Sequence, residues 1–212
     1  MSAPHPAPYK NSAADFMYNL LFCDDPALFL QNGAPDPTTD LGIVLSEAST
    51  EAAVRAVAEN GEAEGRTRML AFAWLRRRGA KVPSRILLGT IVEVPLDGGL
   101  DTLAAFSDGG VRYINQTGKL SIFEKAPAAL APVVQALLAA SQQVVNRIGP
   151  WDKPRLPPPS AGHVRLSFLV SDGLYFGEGR FEDLSRDVRG GPVIRLAGEL
   201  LAQVVDLATA QS

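Results

Sequence analysis

The chain has 212 residues, of which 46% are hydrophobic and 20% are charged, and its formal net charge is −3. A chain of this length buries about 70% of its unfolded surface, and the composition is that of a globular domain rather than of a disordered or fibrous chain. The mildly acidic balance excludes a surface built throughout for nucleic acid, because phosphate binding requires clustered Lys and Arg.

Cysteine and histidine are scarce. Cys23 is the single cysteine, and the two histidines are His5 and His163. An intrachain disulfide or a cysteine-based zinc site is therefore excluded. We expect Cys23 to be a buried small hydrophobic residue, with a reactive thiol as the alternative. The sequence predicts no metal and no cofactor.

The expected compartment is the cytoplasm. No run reaches the ~18 consecutive apolar residues of a spanning helix, and residues 1–14 lack the apolar core of a signal peptide. No membrane association is therefore predicted. The frequent Ala, Pro and Gly residues indicate a bacterial origin.

Residues 1–14 are predicted to be a disordered tail, and residues 15–212 a single domain that begins with a mainly helical region, residues 15–80. Asp25 before Pro26 is typical of a helix N-cap with proline at the first helical position. Residues 41–45 are predicted as a short strand. Ser49 or Thr50 is expected to cap the following helix.

The pattern changes to β at residue 85. Residues 85–148 are predicted to be a β-meander of four strands followed by an amphipathic helix over about 127–148. The pair Asp108-Gly109 predicts a type I′ hairpin turn. Strands joined by such short turns are antiparallel.

Residues 149–162 form a proline-rich connector that is expected to be extended. Residues 163–212 follow as a second hairpin, turning at Asp172-Gly173, and a final helix from near Pro192. The predicted fold class is α+β: a mostly antiparallel sheet of about six strands, with amphipathic helices packed on one face and an N-terminal helical region. Because Ser-Asp-Gly occurs in both hairpins, a duplicated hairpin-and-helix unit is an open alternative.

Polar and aromatic residues are densest on the hairpin between residues 108 and 119. The candidate binding surface consists of Asp108, Arg112, Tyr113, Asn115 and Lys119. Strand alternation places Arg112 and Tyr113 on opposite faces. These residues are interpreted either as a recognition surface or as an ordinary exposed face with its turn residues.

Basic residues concentrate between positions 66 and 85. They are Arg66, Arg68, Arg76, Arg77, Arg78, Lys81 and Arg85. The candidate basic patch for phosphate or an acidic partner is Arg76, Arg77, Arg78 and Lys81, although cations at a helix C-terminus are also explained by the helix dipole. Trp151 is the candidate anchor that holds the connector on the domain.

No catalytic residue is predicted, because no nucleophile motif accompanies His163. The sequence favours a non-catalytic cytoplasmic protein that acts by protein interaction or small-ligand sensing, with a protein partner or self-association expected. One alternative is a motif-poor enzyme that uses Asp, Glu, Tyr and Arg in a cleft between the sheet and the N-terminal helices, which would show a pocket with a perturbed pKa. Another is nucleic-acid association through residues 66–85.

Overall fold

The computed structural model describes residues 5–31 and 33–210. This part of the chain forms seven α-helices and one six-stranded antiparallel sheet with the strand order β4-β3-β2-β1-β5-β6. The prediction of an α+β fold built on an antiparallel sheet of about six strands is confirmed.

The N-terminal region is helical. Its elements are α1 (Ser12–Leu21), a 3-10 helix (Pro26–Leu30), α2 (Asp40–Leu45), α3 (Glu51–Glu59) and α4 (Gly65–Arg77). Asp25 and Thr50 cap the 3-10 helix and α3, as predicted. The strand predicted for residues 41–45 is wrong. Thr39 accepts a hydrogen bond from the Gly42 amide and starts α2 there, and a short apolar run does not by itself distinguish a helix from a strand.

The sheet lies between the helices. Its strands are β1 (Leu87–Leu96), β2 (Gly99–Phe106), β3 (Val111–Ile114), β4 (Leu120–Phe123), β5 (His163–Val170) and β6 (Gly173–Arg180). Strand β1 pairs with β2 on one side and with β5 on the other, so Glu93 lies opposite both Thr102 and Arg165. The remaining helices are α5 (Ala131–Val145), α6 (Phe181–Arg186) and α7 (Gly190–Ala210).

Hydrophobic cores occupy both faces of the sheet. On one face, Ile91 and Leu169 pack against the N-terminal helices. On the other face, Val92 and Phe168 pack against α5 and α7. The helices predicted near Pro127 and Pro192 therefore share one face, and the N-terminal region covers the opposite one.

The turn between β2 and β3 differs in type from the prediction. Gly109 has φ +87°, but Asp108 does not have a positive φ, which a type I′ turn requires. The Phe106 amide donates to the Gly110 carbonyl, so the hairpin closes through a three-residue loop with glycine in the left-handed position. The hairpin itself is present.

Residues before position 15 also pack on the domain, within the segment predicted as a disordered tail. Residues 1–4 of the predicted tail lie outside the described residues, but Tyr9 is buried and its hydroxyl lies 2.8 Å from Thr102 Oγ1 on β2. The Tyr9 amide also donates to Asp15, in the first turn of α1. This short segment therefore ties the start of α1 to the sheet. None of the described helices is long and apolar enough to cross a membrane.

Candidate functional site

A buried carboxyl group lies between the sheet and α1. Glu93, in the middle of β1, is 0% exposed, and Tyr18 of α1 donates a 2.6 Å hydrogen bond to its Oε1. Its Oε2 lies 3.9 Å from Arg165 Nη1, too far for a hydrogen bond, and has no hydrogen-bond partner among the described residues. Burial raises the pKa of Glu93, and the bond from Tyr18 and the charge of Arg165 only partly oppose this shift.

Arg165 connects the sheet to the proline-rich connector. Its Nε and Nη2 donate to Glu178 of β6 at 2.8 and 2.6 Å. Nη2 also donates to the Pro157 carbonyl at 2.6 Å, and Nη1 donates to the Leu156 carbonyl at 3.3 Å. Proline has no backbone N–H, so a proline-rich segment has more carbonyl acceptors than backbone donors. Arg165 supplies donors to two of these carbonyls.

Arg155, in the connector, binds the segment around the end of α1. Its Nε donates to Asp24 at 2.5 Å and its Nη2 to the Asn19 side chain at 2.7 Å, while the guanidinium carbon lies 4.0 Å from the centre of the Phe22 ring. The side chain is only 8% exposed. Its Nη1 is buried and has no hydrogen-bond partner in the described part of the chain. This donor is therefore unsatisfied within the described residues.

Trp151 fixes the start of the connector. Its amide donates to the Leu174 carbonyl at 2.7 Å, and its indole Nε1 donates to the Pro154 carbonyl at 2.9 Å. The ring meets Phe176 edge to face, with the centres 5.0 Å apart. These contacts are those expected of a linker anchor, and they leave the side chain of Trp151 half-buried at the surface.

An open groove lies beside Trp151, between the connector and the C-terminal half of α4. We call it the connector groove. Its volume is about 550 Å³. Its apolar wall comes from Phe22, Met69, Ala73, Trp151 and Leu174, and its cations are Arg76, Arg77, Lys153 and Arg155. Under the connector, Arg155 also lines a second, small cavity of about 10 Å³ together with Tyr18 and Arg165.

The cations of the connector groove differ in whether they have a hydrogen-bond or ion-pair partner. Arg76 donates to the Ser171 carbonyl, whereas Arg77 and Lys153 have neither a hydrogen bond nor an ion pair within the described residues. Partial burial lowers the pKa of both Arg76 and Arg77, so these guanidinium groups are desolvated without full compensation.

Three carboxylates border the same groove. Asp24 is paired with Arg155, and Asp172 accepts from the Tyr175 hydroxyl and the Arg85 amide. Asp152 is exposed. The four cations outnumber these three carboxylates, so the groove carries a net positive charge.

The predicted hairpin surface is largely occupied by its own hydrogen bonds. Arg112 is buried and donates to the Phe123 carbonyl and to Glu124. Tyr113 donates to Asp101 at 3.0 Å. Asn115 Oδ1 accepts from the Thr117 and Lys119 amides, and Asp108 accepts from the Gly110 amide. These five residues do not form one open site, and their role in recognition stays a prediction.

The structure divides the predicted basic patch. Arg76 and Arg77 line the connector groove, whereas the Arg78 guanidinium lies 3.7 Å from the centre of the Trp74 ring and Lys81 is exposed elsewhere. Other arginines of the same stretch bind protein acceptors: Arg66 pairs with Glu64, Arg68 donates to Ala58, and Arg85 donates to Asn146. Nucleic-acid association through residues 66–85 therefore stays a prediction.

Within residues 5–31 and 33–210, no group of three His, Cys, Asp or Glu side chains is arranged to hold a metal ion. Cys23 is buried and free, as expected for a small hydrophobic residue in a core. Burial raises the pKa of its thiol well above the usual range.

Sequence reasoning did not single out Glu93, Tyr18, Arg155 or Arg165. Two of them could have been noticed, because Glu93 and Arg165 are charged residues within otherwise apolar strand segments. Charged residues are seldom fully buried unless they have a partner, so such positions indicate a buried pair. Arg155 carries no such signal within the connector. Comparison with family models, with curated proteins and with solved structures found no match.

Proposed function

We propose that the protein is a non-catalytic binding protein whose connector groove takes a small anionic ligand with an apolar body. The observation that carries this proposal is the buried Nη1 of Arg155, a charged donor without an acceptor among the described residues, on a side chain that lines the open groove. Leaving a buried donor unsatisfied costs about 1–3 kcal/mol, and more for a charged group. An anionic oxygen from a ligand would remove that cost.

Two further cations support the same ligand class. Arg77 and Lys153 border the groove without a carboxylate of their own. A carboxylate or phosphate placed between them would make charge-assisted hydrogen bonds, which are roughly twice as strong as neutral ones.

The walls define the rest of the ligand. Phe22, Met69 and Trp151 present apolar and aromatic surface, and about 550 Å³ is within the usual range for a small-molecule site. An aromatic or aliphatic body would pack against these side chains while its charged end faced the cations. We place this sensing role in the bacterial cytoplasm, which the single cysteine and the Ala-, Pro- and Gly-rich composition support.

Catalysis is the second candidate, because Glu93 with its raised pKa lies between the sheet and α1 beside Tyr18 and Arg165. We favour binding over catalysis because a substrate could not reach Glu93. Glu93 is 0% exposed, and the small cavity beside Tyr18 and Arg165 has only about 10 Å³. An organic substrate would have to displace the connector before it could reach the carboxyl.

The binding proposal is tested by calorimetric titration with phenyl phosphate and with benzoate. We expect saturable binding of at least one probe, and we expect Arg77→Gln to weaken it by about tenfold, or roughly 1.4 kcal/mol. The matched control is Arg195→Gln on α7, which removes the same charge from an exposed arginine paired only with Glu199.

The control should bind with the affinity of the original protein. Binding of neither probe would overturn the proposal. So would an equal loss in both variants, since that result would show only an effect of net charge.

A further inference from the structure

The buried carboxyl of Glu93 and the connector groove are linked by one residue, Arg155. Tyr18 donates its hydroxyl to Glu93, and the Arg155 guanidinium carbon lies 5.8 Å from the centre of the Tyr18 ring. The Arg155 side chain also lines the connector groove. A charge that binds beside Arg155 in the groove is therefore separated from Glu93 by little more than the Tyr18 side chain.

The two arginines next to Glu93 already have carboxylate partners of their own. Arg165 donates two hydrogen bonds to Glu178, and Arg155 donates one to Asp24. Each of these pairs is neutral in sum, so an ionised Glu93 gives the cluster of these five residues one excess negative charge. Because Glu93 is completely buried, solvent does not screen that charge. The charge balance therefore favours a protonated Glu93.

Three further polar groups that face Glu93 are uncharged. Tyr18 belongs to α1 and Tyr9 to the segment before it, and burial raises the pKa of both phenols, so both are neutral at physiological pH. Thr102 lies opposite Glu93 on β2 and cannot ionise. The connector, β5 and β6 contribute the two arginines and Glu178 already described. A change of charge in the connector groove therefore acts on a cluster that has little reserve of positive charge.

We propose that anion binding in the connector groove is coupled to proton uptake by Glu93, an inference that rests on the proposed function of that groove. An anion beside Arg155 offsets the positive charge that helps to keep Glu93 ionised, so it favours the protonated carboxyl. Linkage is reciprocal, and protonation of Glu93 favours the bound anion to the same degree. The affinity of the groove for its ligand therefore falls as pH rises and Glu93 ionises.

Calorimetric titration of the full-length protein with benzoate and with phenyl phosphate, between about pH 5.5 and pH 8.5, tests the coupling. Benzoate has the pKa of an ordinary carboxylic acid and stays ionised over this range. We expect its affinity to fall about fivefold or more from the acidic to the alkaline end. Titrations in two buffers of different ionisation enthalpy count the protons taken up, and this count requires no variant.

Glu93→Gln assigns the proton to its site, because the amide keeps an acceptor for Tyr18 but cannot ionise. Its affinity for benzoate should match that of the original protein at acidic pH and change less than about twofold across the range. Phenyl phosphate itself titrates near pH 6, so the difference between the two proteins isolates the contribution of Glu93. The matched control is Glu199→Gln, which removes an exposed carboxylate from α7 and should keep the original pH dependence.

The outcomes separate this coupling from the binding function on which it rests. Saturable binding without proton uptake, or with the same pH dependence in the original protein and Glu93→Gln, would overturn the coupling and leave the binding function in place. Weaker binding by Glu93→Gln than by the original protein at acidic pH would also contradict the coupling, since the amide represents the protonated state. Binding of neither probe at any pH would overturn both proposals.

Discussion

Glu93 is an ionisable residue whose side chain is completely buried. Tyr18 provides one strong hydrogen bond, and the carboxyl is surrounded by the charges of Arg165, Arg155 and Glu178. Such buried networks contribute little net stability compared with an apolar replacement, because desolvation offsets the attraction. Their effect is to favour one arrangement of α1 over the sheet, since a shifted helix would leave the carboxyl without its donor.

The raised pKa of Glu93 predicts a specific pH dependence. A carboxyl whose pKa is higher in the folded than in the unfolded chain binds more protons when folded, so the free energy of unfolding falls as pH rises from about 4.3 through the raised value. Glu93→Gln keeps the acceptor for Tyr18 but cannot ionise. We expect the variant to gain stability relative to the original protein as pH increases.

Urea denaturation of both proteins between about pH 4 and pH 8 measures this difference. Glu199→Gln serves as a matched control, because Glu199 is exposed on α7 and paired with Arg195, away from Glu93. A stability difference for Glu93→Gln that does not change with pH, or that runs in the opposite direction, would contradict the burial argument.

Cys23 is predicted to be chemically inert in the folded protein. Its side chain is 1% exposed, and burial raises the pKa of the thiol, so the reactive thiolate is scarce. Labelling with a thiol-reactive aromatic disulfide should be slow under native conditions and complete after unfolding in urea. Rapid stoichiometric labelling of the folded protein would show that the connector groove, which Cys23 borders, opens far more than the structure indicates.

At the scale of helices and strands, glycine substitutions should separate open from crowded positions. Gly198→Ala should raise the free energy of unfolding by about 0.5–1 kcal/mol, because it improves helix propensity and its Cβ meets no neighbour. Gly99→Ala should destabilise, since its Cβ would lie 2.0 Å from the Gln116 carbonyl oxygen. Chemical denaturation of the two variants measures both effects, and a loss of stability in Gly198→Ala would contradict the structure of α7.

Most elements could be predicted from sequence because each carries a strong local signal. Runs rich in β-branched residues between turn residues mark the strands, and the long apolar stripes mark α5 and α7. The failures have local causes as well. Segment 41–45 is too short to show whether its apolar residues repeat with the period of a helix or of a strand. Helix α6 begins at the residue that follows the end of β6, so no turn residues between them indicated a new element.

At the scale of the whole molecule, the candidate site could not be predicted, because it forms only when distant segments meet. Arg155 and Asp24 are 131 positions apart, and Arg76 meets Ser171 across 95 positions. Basic residues and Trp151 were recognisable individually, but their convergence depends on how the connector crosses the domain. The two Ser-Asp-Gly turns likewise differ in structure, since the first closes a three-residue loop and the second a two-residue loop.

The fold as a whole places the sheet between two helical layers. Arg155 and Arg165 bind the connector to the α1 side of the sheet, while α7 packs on the opposite face.

Indole NMR signals decide whether the connector groove binds an anion. The chain has two tryptophans: Trp151 borders the groove, and Trp74 is buried beneath Arg78. Titration of ¹⁵N-labelled protein with phenyl phosphate and then with benzoate should shift the Trp151 indole N–H signal saturably with at least one of them and leave that of Trp74 in place. A Trp151 signal unmoved by both, or a shift at Trp74 alone, would contradict the proposed site.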